Sequence, residues 1–173
     1  MMDATVFWQR VKLAVYGDEN AGSNLWMILL RPLKTGIAEI ATARDVLREF
    51  TGENFLFRPW GTEGQLDRRC LNRSAVDYLV SGKHTCVLWN SVPRDWADPG
   101  GWVARALADI GAREHTVVVI HDVPSGAMSA LPRFLDELDR EGVAVTGELP
   151  TECVPIIDGC IISPVDHLMP LDY

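Results

Sequence analysis

Three short groups of residues in this chain bring together side chains that move protons, carry charge or present flat rings. They are Phe57-Arg58-Pro59-Trp60-Gly61, Asn90-Ser91-Val92-Pro93-Arg94-Asp95-Trp96 and Val118-Val119-Ile120-His121-Asp122. An imidazole titrates near neutral pH, so His121 can give or take a proton during hydrolysis. Trp60 and Trp96 follow turn residues, where an indole can wall a groove, while Trp89 directly continues an apolar run and reads as core. A His-Asp pair after a buried strand is also a common structural feature, so it is the ordered set of three groups that points to a site.

The elements that must position these groups follow from the patterning. Thr116-Val117-Val118-Val119-Ile120 has no polar alternation and reads as a parallel strand buried on both faces. His121 and Asp122 then lie at its carboxyl end, on the loop to a helix, the edge that carries chemistry in α/β folds. Ile37, Ile40, Ala41, Arg44, Leu47 and Phe50 mark an amphipathic helix stopped by Gly52. Phe55 to Phe57 is a strand, and a helix runs from about Arg69 to Val80, closed by Gly82. Thr85 to Trp89 is the next strand. Trp102, Val103, Ala106, Leu107 and Ile110 share one face of a helix with Gly111 as its stop. A helix through Phe134 and Leu138 to Arg140 has Gly142 past its end, and Val143 to Thr146 is a last strand. Arg58, Trp89 and His121 end strands spaced by about 30 residues, one βαβ unit each, which predicts an α/β fold with parallel strands and outer helices.

Domain organisation is read as a divergent segment over 1–36, an α/β domain over 37–146 and a proline-rich tail over 147–173 packed on it as coil. Thr5 to Trp8 and Leu13 to Tyr16 could be short strands, and Leu25 to Leu30 a strand or short helix. The net charge of −8 argues against nucleic acid, which needs a basic face. Neither a secretory leader nor an apolar run of membrane-spanning length is present, so a cytoplasmic protein with no membrane partner is expected. Cys70, Cys86, Cys153 and Cys160 form no Cys-x-x-Cys pair and are expected to be buried free thiols. His84 and His115 precede strands and are expected at the surface of the opposite rim. Asp166-His167 in the tail is a weak ligand pair. No Gly-x-Ser-x-Gly elbow is present, and no glycine-rich loop follows a strand.

Taken together, the three groups resemble the last three motifs of the polysaccharide deacetylases, over roughly 37–145. That family shows an Arg-Pro-Pro-Tyr-Gly-like motif, an Asp-x-x-Asp-Trp-like motif and a Leu-x-Leu-His-like motif, in this order. The resemblance implies a partial or distorted (β/α) barrel and hydrolysis of N-acetyl groups on a carbohydrate. It implies that His121 is the acid that protonates the leaving amine, that Asp95 pairs with Arg58, and that Trp60 and Trp96 line the sugar groove. Ile120 would line the acetyl pocket and Asp122 would hold the strand-end loop. It further implies a divalent metal, zinc in the family, and an acetylated carbohydrate as partner. Nothing before Arg58 matches the family's earlier Thr-Phe-Asp-Asp-Gly-like and His-x-x-x-His-like motifs, which supply the catalytic base and the metal ligands. No metal ligand is therefore assigned. Impaired activity, a glycan- or protein-binding role, a truncated gene product, or a second copy of the chain covering an open barrel edge all follow as expectations.

Overall fold

The computed structural model describes Ile37, Ile40, Ala41, Arg44, Asp45 and residues 56–171. The five positions between 37 and 45 are helical, as their spacing predicts, and Ile40 is buried in the core. The readings made for 1–36, and for Leu47, Phe50, Gly52 and Phe55, lie outside the described residues.

Strand β1 (Leu56–Phe57) pairs in parallel with β2 (Thr85–Cys86), Leu56 opposite Thr85 and Phe57 opposite Cys86. Between them runs α1 (Arg73–Ser81). It starts at Asn72, whose side chain accepts the Ala75 N–H at 2.8 Å and so satisfies one of the free amides of the first turn. Ala75, Val76 and Leu79 fall on one face and are buried. The expected start near Arg69 is too early because 67–70 is a turn, with the Cys70 N–H donating to Asp67 O, and Asn72 is still extended.

Beyond β2 the chain continues to Ser91, which bridges Val118 in parallel. The 116–120 run thus lies where the patterning puts it, but it makes one bridge rather than a full strand, and only Val119 and Ile120 are buried. Helix α2 (Trp102–Gly111) and helix α3 (Leu131–Arg140) build a core of their own from Trp102, Val103, Ala106, Ile120, Phe134 and Leu138. A second core joins α1 to β2 and the end of the chain through Val76, Leu79, Cys86, Ile156 and Leu168.

Two expectations are corrected. Val143 to Thr146 is not a strand. Gly142 takes φ 69°, its N–H reaches Asp139 O at 3.2 Å, and the Val143 N–H reaches Leu138 O at 2.9 Å. This closes α3 with paired bonds back to its last carbonyls and spends Val143 on the α3 core. The residues after it are exposed.

The tail is also not coil. Strands β3 (Ile156–Ile157) and β4 (Cys160–Ile161) form a hairpin across Asp158-Gly159, both at positive φ. That is the two-residue turn favoured by Asp-Gly. β3 pairs antiparallel with β2 at Cys86. The sheet order is β1-β2-β3-β4, so it is mixed rather than all parallel, and among the described residues it is open rather than closed. The architecture is α/β. No helix among the described residues is long and apolar enough to cross a membrane.

Candidate functional site

The site is built where the loop after β2 meets the loop after 116–120. Pro93 and Asp95 are fully buried. Between them Arg94 takes φ 57°, a conformation disfavoured for a residue with a Cβ. The Ala97 and Asp98 N–H groups both donate to Arg94 O at 3.0 Å, making a tight turn with Asp95 on its inner side.

Asp95, with none of its side chain exposed, meets His121 at two points. Its Oδ1 lies 2.9 Å from Nδ1, and its Oδ2 accepts the His121 backbone N–H at 2.7 Å. An ionised carboxylate only accepts, so this contact holds the proton on Nδ1 and leaves Nε2 on the far edge of the ring. The His121 side chain keeps 29% exposure. The Trp96 ring stands edge-on to the imidazole, 4.8 Å between centroids at 84°. A buried carboxylate that fixes a partly exposed imidazole is an arrangement able to give or take protons at Nε2.

His121, Asp95 and Trp96 are therefore brought together. Asp95 is held by His121 rather than by the expected Arg58. The Arg58 guanidinium lies 5.5 Å from the centre of the Trp89 ring, a cation–π arrangement, and Nη1 reaches Pro59 O at 3.5 Å. Burial lowers the pKa of Arg58 from its ordinary value. Trp60 is half-buried next to Arg58 and Pro59 at the end of β1. Trp89 is core, as expected, and its Nε1 donates to Gly64 O at 2.7 Å. Asp122 is half-buried and, among the described residues, makes no side-chain hydrogen bond; Asp95, not Asp122, ties down the strand-end loop. Ile120 is buried and faces a cavity of about 770 Å³ whose lining includes Leu56, Arg58, Val118 and Phe134, but not His121.

Three side chains of α2, Trp102, Arg105 and Asp109, hold the two loops, a role the sequence reading did not assign to them. Arg105 donates from Nε to Pro93 O at 2.8 Å and from Nη1 to Asp98 Oδ2 at 2.8 Å. Trp102 donates from Nε1 to Ala127 O at 3.0 Å. Ser91 donates from Oγ to Asp109 Oδ2 at 2.6 Å. Their signal in the sequence is the spacing 102, 105 and 109, which puts all three on one side of α2.

Elsewhere, His115 is exposed as expected, but His84 is buried. Its ring packs 5.6 Å from Tyr78. Burial, then the charge of Arg44, lowers its pKa. Cys70, Cys86 and Cys153 are buried free thiols, whereas Cys160 is exposed on β4, against expectation. Burial pushes the Cys86 thiol up to about 12 and the Cys153 thiol up to about 11, which keeps both protonated and unreactive. Among the described residues, no three His, Cys, Asp or Glu side chains are grouped so that they could hold a metal ion, and Asp166 and His167 are exposed in the tail. No protein-family model, no curated protein and no solved structure matches the chain.

Proposed function

We propose that the chain is a hydrolase of the polysaccharide deacetylase type, in which His121 serves the cleavage of the carbon–nitrogen bond of an N-acetylated sugar. The observation that carries this reading is the two-point contact of Asp95 with His121. Nitrogen is a poor leaving group until it is protonated. An imidazolium with Nδ1 held by Asp95 can hand its Nε2 proton to the departing amine, and Asp95 stabilises the charged ring until it does. Trp96, edge-on to the imidazole, supplies an aromatic wall of the kind that packs on sugars.

The finer fold, a partial (β/α) barrel, belongs to the same proposal. It is supported by the parallel pairing of β1 with β2 and of Ser91 with Val118. A divalent metal also belongs to this type of enzyme. The described residues assemble no ligand set that fits one, and the roles given to His121 and Asp95 do not pass through it.

The test is release of free amino groups from acetylated chitooligosaccharides and peptidoglycan fragments by the purified chain, with and without added Zn²⁺. Amine release abolished by His121→Ala supports the reading. No release under either condition overturns it.

A second reading is favoured by Trp96: a glycan-binding domain without turnover. Oligosaccharide binding that survives chelator and is lost in Trp96→Ala, with no amine released, selects it over the first.

A further inference from the structure

We propose that α2 is the element that aligns Asp95 with His121, through Trp102, Arg105 and Asp109 as positioning residues. The inference rests on the Asp95–His121 geometry used in the functional reading, and extends it to side chains that touch neither residue.

The two members of the pair come from different loops. The segments that lead into those loops are bonded to one another around Ser91 and Val118, but beyond that bridge each loop is tied to α2. Arg105 bridges the turn that carries Asp95 at both of its ends: Nε to Pro93 O at 2.8 Å before it, Nη1 to Asp98 Oδ2 at 2.8 Å and Nη2 to Asp98 O at 3.3 Å after it. The residue inside that bridge, Arg94, is in the left-handed region at φ 57°, a conformation that persists only where surrounding bonds impose it.

Gly101 makes the bridge possible. A Cβ there would lie 2.4 Å from Asp98 Oδ2 and 2.7 Å from Arg105 Nη1.

On the other side, Trp102 is fully buried against Phe134 and donates to Ala127 O, on the loop that follows His121. Asp109 completes the set one turn further on. It accepts from buried Ser91 Oγ at 2.6 Å, and Ser91 O in turn accepts the Val119 N–H at 3.1 Å, in the run that leads into His121. Residues 102, 105 and 109 lie on one face of one helix, so a rigid rod sets the separation of the two loops. Hydrogen bonds from a rigid element fix a functional pair more tightly than loop contacts do.

The test follows two signals of the pair itself by NMR: hydrogen exchange of the His121 amide, which donates to Asp95 Oδ2, and the Nδ1–H proton resonance of His121. Asp95→Asn is the control for the pair. Both signals should change in it, and if neither does, the pairing that the functional reading uses is wrong and this inference falls with it. Given that control, Arg105→Gln and Trp102→Phe should each speed exchange of the His121 amide by about tenfold or more and broaden the Nδ1–H signal, while amides of α1, in the other core, keep their native rates. Arg105 is half-exposed, so Arg105→Gln carries the test if Trp102→Phe does not fold. His121 signals unchanged in the folded variants, or changed only in step with α1 amides, would overturn the role of α2. Loss of the His121 signals in a chain that releases no amine from acetylated sugars would leave the alignment role standing and remove only the activity.

Discussion

His121 gives its backbone N–H to Asp95 Oδ2 at 2.7 Å and sets its Nδ1 2.9 Å from Asp95 Oδ1, so one buried carboxylate fixes both the main chain and the ring of the histidine. Asp95→Asn keeps the shape but presents an amide N–H toward one of two donors. It should cost about 1–3 kcal/mol in urea unfolding, the penalty of a buried donor left facing another. On acetylated chitooligosaccharides it should lower the rate of amine release by about 10²- to 10⁴-fold. A variant as stable and as active as the native chain would show that the contact has no chemical role.

The fold should lose stability as it is acidified through the range of His84. Burial and the charge of Arg44 lower its pKa in the folded chain, while the unfolded value is near 6.5. The unfolded state therefore binds more protons below that value, so the contribution is complete above about pH 6.5 and is lost as the pH falls through the lowered folded pKa. Thermal unfolding of native chain and His84→Phe at pH 7.5 and pH 5.5 isolates it: the native Tm should drop more steeply than that of the variant. Parallel slopes would contradict the burial of a neutral imidazole.

Gly82 has a steric rather than a conformational reason to be glycine. Its φ is −82°, open to any residue, but a Cβ would stand 2.4 Å from His84 Nε2 and 2.6 Å from Cδ2. Gly82→Ala should destabilise by about 1–3 kcal/mol, the usual cost of overpacking a filled core. Denaturant titration checks it, and a neutral result would mean that the His84 ring can swing aside.

Thiol counting separates the cysteines. Cys160 is exposed and should react rapidly with a disulfide reagent, while Cys70, Cys86 and Cys153 are buried. One equivalent should therefore react in native buffer, and all 4 in urea. Fast reaction of more than one equivalent in the native state would show that the core around Cys86 opens.

The parts of the fold legible in the sequence were those with helical periodicity. α2 and α3 lie where their apolar spacing puts them, and Asn72 and Gly82 bound α1. The Val143 to Thr146 run misled because a β-rich sequence becomes a strand only with a partner, and Val143 is used to close α3. The hairpin of β3 and β4 was announced by Asp158-Gly159 between Ile156-Ile157 and Cys160-Ile161, a turn signal masked by four prolines around it. In the candidate site, the grouping of Asp95, Trp96 and His121 followed from loops at successive strand ends. Which cation or imidazole Asp95 would meet did not, because partner choice among loop side chains depends on distances that spacing does not supply. The burial of His84 was hidden for the same reason: the space it occupies is left by a glycine two residues earlier.

The β2–β3 pairing bears on the order in which the molecule can be assembled. Thr85 and Asp158 share hydrogen bonds across 73 positions of chain, and Ile156 pairs with Cys86 across nearly as many. During synthesis β2 emerges long before its antiparallel neighbour, and α2 and α3 are complete in the interval. Contacts so distant in sequence form late and slowly. The nascent chain must therefore hold one side of β2 uncovered, and the α2–α3 core can form before the sheet does.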